Sequence, residues 1–231
     1  MQTREQNNRV LALFDFCETL VDFQSAARYL EIIAKYRGYN MKQGLGHRVC
    51  AKLKRKVGKR IQKVLPKSYR NKFIQKPVNF EVLRGLSLKE AENIAQDFFE
   101  KELLLRVNER IMERVRYHQK MGHTIAIVSG GFEIYIRIFA KHFGIQYVVA
   151  VSLESSEGVL SGNMAGIHTM EHRKLYKLSQ TLDLSMYDLA QSYAYSDCPS
   201  DIPLLSLVGN GIVVECGKDI EWAKILGFEI V

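Results

Sequence analysis

The sequence predicts an α/β protein in which a helical insertion interrupts a parallel sheet after the first strand. Short β-branched apolar runs alternate with amphipathic helical stretches from about residue 105 to the end of the chain, and this alternation is typical of parallel sheets with crossover helices. One more strand pattern precedes residue 24, and residues 24–104 show helical patterns only. We therefore predict a core made of residues 1–23 and 105–231 and a helical cap domain made of residues 24–104. The length of 231 residues suits this division.

The elements of the first half follow from short patterns. Val10–Phe14 is an apolar run that ends at Asp15, and its length favours a buried strand over a helix. Residues 23–37 have apolar positions at helical spacing before Gly38, a residue that commonly ends helices. Ser87 and Glu90 form a capping-box pattern that predicts a helix to about residue 101. Another helix is predicted at about 107–120, before Gly122.

The second half alternates in the same way. Thr124–Val128 is a β-branched strand pattern that leads into Ser129-Gly130-Gly131 and then into a helix near 133–142. Turn residues around Gly158 predict a hairpin over 153–162. The other predicted elements are strands at Gln146–Val151, Ser192–Tyr195 and Ile212–Glu215 and helices at 170–182 and 203–207.

The net charge of +8 is concentrated in one segment. Residues 41–76, here called the basic block, contain 13 Lys and Arg and no Asp or Glu, which leaves 20 cations against 25 anions elsewhere. Within it, apolar residues recur every four positions over 48–65 and predict an amphipathic helix that Pro66 ends. This stripe favours packing inside the cap, and the alternative is contact of 48–65 with an anionic membrane surface or a lipid phosphate. We expect no nucleic-acid partner, because Tyr69 and Phe73 are the only aromatic residues of the block.

Several protein classes are excluded by composition. The four cysteines are scattered without a CxxC pair, which argues against a zinc module or a disulfide scaffold and favours reduced thiols. No apolar run approaches the roughly 18 residues needed to span a bilayer, and the polar start MQTREQNN does not resemble a signal peptide. We expect a cytoplasmic protein, with peripheral membrane contact through residues 48–65 as the alternative.

Polar residues follow the predicted strands and open one late helix. They are Asp15 after the first strand, Ser129 after the next, Lys174 at a helix start, and Asp197 with Asp201 after the strand at Tyr195. Ligands of open α/β sheets bind beyond the carboxyl ends of the strands. A carboxylate nucleophile, a hydroxyl donor, a cation and acidic oxygen ligands for Mg²⁺ are the groups that phosphoryl transfer requires. The residues therefore predict phosphoryl transfer from a small phosphorylated substrate.

The same residues carry a resemblance to a known family. The segments DFCETL from Asp15, IVSGGF around Ser129, HRKLYKL around Lys174 and DCPSDIPLL from Asp197 occur in an order and spacing similar to the haloacid dehalogenase superfamily, subfamily IB, in its phosphoserine-phosphatase-like branch. The resemblance implies a Rossmann-like parallel core with an inserted helical cap of the C1 type. It also implies a phosphoric monoester hydrolase that forms an aspartyl-phosphate intermediate on its first-motif Asp.

The resemblance further implies roles for individual residues. Asp15 would be the nucleophile, and Mg²⁺ would bind Asp15, the backbone carbonyl of Cys17 and Asp197, with Asp201 as a further acid. Phosphate would bind Ser129 and Lys174, with the Gly130 backbone able to approach it closely. Thr19 would orient the first loop at the phosphate site.

Cys17 departs from the family pattern. The resemblance implies a second Asp at this position, acting as general acid and base, a role worth ~10²–10⁴-fold. A thiol, with an ordinary pKa near ~8.5, is a poor replacement for it. We expect a working phosphatase that is slow, selects good leaving groups, or borrows an acid from the cap or the substrate. The alternatives are a non-catalytic module that binds phosphate ligands or docks to membranes, and a phosphotransferase that passes the phosphoryl group to an alcohol.

The substrate prediction depends on Gln24. The resemblance implies a Glu nine residues after the nucleophile that receives the substrate amine of phosphoserine, and this chain has Gln24 there. An uncharged amide is a weaker partner for an ammonium group. We therefore expect a lipid phosphate or another polar phosphate in place of phosphoserine.

Overall fold

A computed structural model describes residues 9–38 and 80–231, and these residues form an α/β fold. The strands are β1 Leu11–Phe14, β2 Thr124–Phe132, β3 Tyr147–Ser156, β4 Val159–Ala165, β5 Tyr193–Ser196, β6 Asn210–Val213 and β7 Glu229–Ile230. The helices are α1 Ser25–Tyr36, α2 Leu88–Phe98, α3 Glu109–Lys120, α4 Glu133–His142, α5 Arg173–Thr181, α6 Ile202–Leu205 and α7 Glu221–Leu226. Shorter helical turns cover Glu81–Leu83, Phe99–Leu103, Leu104–Arg106, Leu184–Met186 and Pro199–Asp201.

The described strands form one seven-stranded sheet with β1 at its centre. The order is β4-β3-β2-β1-β5-β6-β7, and all neighbours are parallel except the hairpin of β3 and β4. Phe14, the last residue of β1, pairs with Ile127 on one side and Tyr195 on the other. The predicted α/β class is therefore confirmed, and the carboxyl ends of β1, β2 and β5 meet at one edge of the sheet.

The central strand is buried on both faces, as expected for a parallel sheet covered by helices. Side chains alternate along a strand, so Ala12 and Phe14 pack into one apolar cluster while Leu11 and Leu13 pack into another. All four are fully buried. Helices α1, α2 and α4 contribute to the first cluster and α5, α6 and α7 to the second. This double burial holds the end of β1 in a fixed position.

Two predictions about elements were incomplete. Strand β2 continues from Val128 to Phe132 through a register shift, so Ser129-Gly130-Gly131 lies within the strand and not after it. The final helix and strand, α7 and β7, were not predicted, because they contain only six and two residues and give no readable periodicity. The other predicted strands and helices of the described chain occur within a few residues of their expected bounds.

The two ends of segment 24–104 lie side by side. Asp22 N donates to Arg106 O at 3.1 Å, and Asn108 N donates to Leu20 O at 2.9 Å. The described parts of the segment also pack on the core, where the rings of Phe98 and Tyr135 meet at 5.3 Å between centroids. The division into core and cap remains a prediction. The close approach of the two chain segments that flank residues 24–104 supports it.

The segment 24–104 contains the predicted capping box. Ser87 Oγ accepts from Glu90 N at 3.2 Å, and Glu90 Oε2 accepts from Ser87 N at 3.1 Å, so α2 begins as predicted. The basic block and its predicted helix over 48–65 lie outside the described residues. No helix in the described ranges is both long and apolar enough to cross a membrane.

Candidate active site

Asp15 lies at the carboxyl end of the central strand, where two neighbouring strands fix its backbone. Its N–H donates to Tyr195 O of β5 at 2.9 Å, and the residue is only 6% exposed. Lys174, the second residue of α5, contacts this carboxylate. Its Nζ lies 2.7 Å from Asp15 Oδ1 and 2.6 Å from Asp201 Oδ2. One buried triad thus contains the predicted nucleophile Asp15, the predicted cation Lys174 and the further acid Asp201.

Burial sets the electrostatics of this triad. It raises the pKa of Asp15 to about 7, with further increases from the charges of Asp201 and Asp197 and an opposing decrease from Lys174. Burial alone would lower the pKa of Lys174, but the charges of Asp15 and Asp201 and the hydrogen bonds to them outweigh it and raise that pKa above its ordinary value. A buried charge is stable only when it is paired. Lys174 therefore stays an ammonium that holds two carboxylates.

Ser129 and Gly130 form the adjacent part of the site. Ser129 is 1% exposed, and its Oγ accepts from Gly131 N at 3.0 Å. That contact uses an acceptor lone pair of the hydroxyl, so its proton can donate to an incoming oxygen. A Cβ on Gly130 would lie 3.1 Å from Met170 Cγ and 3.3 Å from Thr169 O. The segment before α5 therefore packs directly over the Gly130 backbone.

Asp197 belongs to a second ionic group that the sequence analysis did not predict. Lys218 Nζ lies 2.8 Å from Asp197 Oδ2 and also binds Glu18 Oε2, which accepts from Gln24 as well. Glu18 has a left-handed backbone with φ of 57°, so the chain after β1 turns and does not stay extended. Lys218 follows the carboxyl end of β6. Its position beyond a strand end is the feature of the sequence from which it could have been predicted as a site residue.

Thr19 is fully buried behind Asp197. Its Oγ1 donates to Asp197 Oδ1 at 3.4 Å, and its side chain does not line the cavity described below. This position supports a role in orienting the first loop and Asp197. Direct contact of Thr19 with phosphate remains only a prediction.

Cys17 begins a chain of buried hydrogen bonds that leads away from Asp15. Its Sγ lies 3.1 Å from Ser25 Oγ, which lies 2.9 Å from Tyr135 Oη, and this oxygen accepts from Phe132 N at 3.1 Å. Burial, with a smaller contribution from the charge of Asp15, raises the pKa of the Cys17 thiol to about 11. The thiol is therefore protonated at neutral pH and is a weak acid and a weak base.

These residues surround a cavity of about 400 Å³ at the carboxyl edge of the sheet. Most of the predicted site residues line it, namely Asp15, Cys17, Ser129, Gly130, Lys174, Asp197 and Asp201. Three buried carboxylates and two ammonium groups meet there, together with the Ser129 hydroxyl. Such an arrangement can bind a phosphate dianion and present a carboxylate oxygen to its phosphorus.

The acidic side chains suit a hard cation by their chemistry. Carboxylate and carbonyl oxygens are the ligands that Mg²⁺ prefers, and Asp201 Oδ1 is buried without a hydrogen-bond partner among the described atoms. Within the described ranges, no three acidic, His or Cys side chains already form a metal-binding group. Lys174 and Lys218 instead hold the carboxylates. By their chemistry these oxygens suit Mg²⁺, which would take the positions at Asp15, Asp197 and Asp201 that the two ammonium groups hold.

Comparison with known proteins agrees with this arrangement. Residues 12–206 match the family model described as haloacid dehalogenase-like hydrolase. The chain belongs to this family. The matched range begins within β1 and ends after α6, so it contains every predicted site residue.

Relatives that are named as phosphatases support the phosphoserine-phosphatase-like branch for this haloacid dehalogenase-like hydrolase. It is 33% identical over 113 residues to the phosphoserine phosphatase of Streptococcus thermophilus, covering 49% of this chain and 52% of that protein. It is 26% identical over 143 residues to the histidinol-phosphatase of Neisseria meningitidis serogroup C, covering 60% of this chain and 64% of that protein. The chain thus spans about half to two thirds of the length of these relatives.

Solved structures have a similar fold. A Bordetella pertussis protein of unknown function superposes with a TM-score of 0.76 at 22% identity, covering 97% of this chain and 98% of that one. The phospho-aspartyl intermediate analogue of phosphoserine phosphatase gives a TM-score of 0.57 at 22% identity, covering 96% and 92%. At these identities the similarity establishes the fold alone.

Proposed function

We propose that this chain is a Mg²⁺-dependent phosphomonoester hydrolase that works through an aspartyl-phosphate on Asp15. The observation that carries the proposal is the Lys174 ammonium, which binds both Asp15 and Asp201 at the floor of a cavity that Ser129 also lines. The relatives named phosphoserine phosphatase and histidinol-phosphatase support the same reaction class. The cap and core division of the chain is part of this proposal.

Asp15 is the nucleophile in the proposed reaction. Its carboxylate attacks phosphorus while the ester bond between phosphorus and the leaving oxygen breaks, which gives an alcohol and a phosphorylated Asp15. Water then cleaves the acyl phosphate and releases orthophosphate. The leaving oxygen gains one proton and the attacking water loses one, so the cycle balances. Burial raises the pKa of Asp15 to about 7, and the pairing with Lys174 opposes this rise in favour of the ionised form that the attack requires.

Ser129, Gly130 and Lys174 bind the phosphoryl oxygens in this proposal. Ser129 offers its hydroxyl proton, Lys174 offers a fixed positive charge, and Gly130 lines the cavity beside them. Asp15, the Cys17 carbonyl, Asp197 and Asp201 would hold Mg²⁺, which when bound would neutralise charge on the transferring phosphoryl group. Thr19 keeps Asp197 in place through its hydrogen bond.

Cys17 favours a second candidate function, a slow or non-catalytic module that binds phosphate ligands. A thiol with a pKa of about 11 exchanges protons poorly near pH 7. Such a module would bind Mg²⁺ and phosphate and yet turn over no phosphomonoester. We favour the phosphatase, because the nucleophile and the phosphate-binding groups are all present in the cavity.

The substrate is proposed to be a small phosphorylated molecule, with lipid phosphates included. Contact with an anionic membrane through residues 48–65 stays a prediction about a segment outside the described residues. The sequence-based expectation of a cytoplasmic protein without a nucleic-acid partner likewise stays an expectation.

A panel of phosphomonoesters tests the function. We expect release of orthophosphate in the presence of Mg²⁺, loss of that activity on chelation, and a decrease of at least a thousandfold for Asp15→Asn. Acid-stable trapping of labelled phosphate on the wild type, but not on Asp15→Asn, would identify the intermediate. Activity that survives Asp15→Asn would overturn the mechanism, and Mg²⁺-dependent phosphate binding without any turnover would favour the second candidate.

A further inference from the structure

The cavity has an apolar half beside its ionic floor. Away from Asp15 and Lys174, its wall contains the side chains of Ala26, Ala27, Leu30, Phe80, Phe132 and Met170. Three of them come from α1, one lies before the turn Glu81–Leu83, one ends β2, and one precedes α5. Residues from four separate parts of the chain therefore converge on one apolar surface next to the proposed phosphate site.

Helix α1 contributes apolar residues to both the core and the cavity wall. Tyr29 and Ile33 are fully buried in the core cluster. Leu30 is half-buried, packs against that cluster and lines the cavity, and Ala27 lines the cavity and is exposed. Met170, on the facing wall, is 46% exposed. Apolar side chains that border a concave site and remain accessible are typical of ligand pockets.

Few charged groups of the described residues line this part of the cavity. Away from its floor they are Glu171 and Lys218, and the other polar residues there are Gln24, His168 and Ser200. Lys218 already binds Asp197 and Glu18, and Glu171 is exposed at the surface. An amino-acid leaving group would place a carboxylate and an ammonium against Leu30 and its apolar neighbours. Burying such charges without partners is costly.

The geometry points to a substrate class: the phosphomonoester of a small apolar alcohol, with a short alkyl chain or a single aromatic ring. This inference rests on the proposed function. In the step concerned, the bond between phosphorus and the ester oxygen breaks, and the apolar alcohol leaves with that oxygen and a proton from water. The cavity of about 400 Å³ is near the small end of ligand pockets, roughly 300–1,000 Å³. It therefore limits the size of the alcohol.

Steady-state kinetics on two matched sets of substrates test the inference. The apolar set is ethyl, butyl, hexyl and benzyl phosphate, and the charged set is phosphoserine, phosphoethanolamine and histidinol phosphate. We expect kcat/KM to rise roughly three- to fourfold per methylene from ethyl to butyl phosphate, and butyl or benzyl phosphate to exceed every charged substrate at least tenfold. If kcat/KM continued to rise beyond hexyl phosphate, and did so only for a long-chain phosphate in vesicles, the apolar alcohol would be that of a lipid.

Two variants locate the effect in the apolar half. Ala27→Trp places a large ring in the cavity from an exposed position, and we expect it to lower kcat/KM for butyl phosphate at least tenfold. Lys35→Trp, at an exposed position on the same helix, is the matched control and should leave this value unchanged. Leu30→Glu should shift the preference toward phosphoethanolamine.

Binding of phosphonates separates this inference from the proposed function. Butylphosphonate and 2-aminoethylphosphonate cannot be hydrolysed, so calorimetry reports the pocket even if no ester turns over. We expect butylphosphonate to bind at least tenfold more tightly. Equal or reversed affinities would overturn the inference and leave the phosphatase proposal intact. The expected affinities without turnover of any ester would instead overturn the phosphatase proposal alone.

Discussion

Cys17 Sγ lies 3.1 Å from Oγ of Ser25, the first residue of α1, and this contact ties the residue two positions after the proposed nucleophile to the core. Ser25 is fully buried and also contacts Tyr135 Oη at 2.9 Å. The contact holds the thiol in a fixed position, and burial raises its pKa to about 11. Cys17 is therefore placed beside the proposed reaction without the proton chemistry that hydrolysis needs.

Replacing Cys17 by Asp should increase turnover. A carboxyl group at this position could accept from Ser25 and exchange protons with the leaving oxygen, which is worth ~10²–10⁴-fold. We expect kcat for an alkyl phosphate to rise at least tenfold, with a smaller gain for p-nitrophenyl phosphate, whose leaving group needs no acid. Steady-state kinetics with Mg²⁺ measure both values.

Cys17→Asn is the matched control for this substitution. It has the shape of Asp without an acid proton and should show no gain, and thermal unfolding of both variants would detect damage to the fold. A sharp decrease in kcat for Cys17→Asp at unchanged stability would mean that the thiol has a positive role in the reaction.

Replacing Lys174 by Met should destabilise the protein as well as inactivate it. The change leaves Asp15 and Asp201 buried without their shared ammonium partner, and breaking a buried ion pair from one side costs about 3–5 kcal/mol. Urea unfolding would measure the loss. Adding Asp201→Asn should recover part of it, because one unpaired buried carboxylate is then removed.

The exposed Lys224 provides the control for Lys174. Its side chain is 59% exposed and pairs only with the exposed Glu221 among the described residues, so Lys224→Met should change stability by less than ~0.5 kcal/mol. If Lys174→Met were as stable as Lys224→Met, the buried triad would contribute nothing to the fold.

His118 should make the protein less stable as the pH falls from 7 to 5. Burial, with the charges of His123 and Arg114, lowers its pKa to about 4. Its Nδ1 lies 2.8 Å from His123 Nδ1 and its Nε2 lies 3.0 Å from Tyr195 Oη, while the rings of Tyr117 and Tyr193 pack around it. An unfolded histidine titrates near ~6.5. Between these values the unfolded state binds more protons, so acid favours unfolding.

Urea unfolding at pH 7 and pH 5 tests this expectation. The wild type should lose about 1–2 kcal/mol through His118 over this interval, and His118→Gln should lose correspondingly less. His142→Gln, at an exposed histidine, is the control. The same pH dependence in wild type and His118→Gln would assign the loss to other groups.

Strong local patterns allowed most of the fold to be predicted. The apolar run before Asp15, the capping box at Ser87 and the turn at Gly158 each reflect a physical requirement of one short segment, and the structure has all three features. The extension of β2 through Ser129 was not predictable in this way. It depends on pairing with β3 across a register shift, and that pairing is set by tertiary contacts.

The site was predictable where residues follow strands and unpredictable where side chains meet across loops. Asp15 and Asp197 were predicted to lie close together because both follow strands whose ends converge on one edge of the sheet, whereas Ser129 lies within β2. The contact of Glu18 with Lys218 joins residues 200 positions apart and depends on the left-handed turn at Glu18. No periodicity in the sequence encodes such a contact.

Lys218 should weaken Mg²⁺ binding, because its ammonium occupies Asp197 Oδ2 at 2.8 Å, an oxygen that the proposed metal site needs. The hydrogen bonds and charges of Asp197 and Glu18 outweigh burial and raise the pKa of Lys218, so it stays charged at neutral pH. A cation that competes for a carboxylate and repels a divalent ion from a few ångströms away costs about 1 kcal/mol or more. We therefore expect Lys218→Met to lower the Mg²⁺ dissociation constant about fivefold or more, as measured by calorimetry without substrate.

Lys224→Met removes one positive charge from the exposed surface of α7 and controls for the change in net charge. It should leave the Mg²⁺ affinity unchanged within twofold. Weaker Mg²⁺ binding in Lys218→Met than in Lys224→Met would show that Lys218 positions Asp197 for the metal instead of competing with it. In that case the ionic group at Asp197 would be a preorganised part of the metal site, and the metal would have to bind Asp197 through Oδ1, the oxygen that now accepts from Thr19.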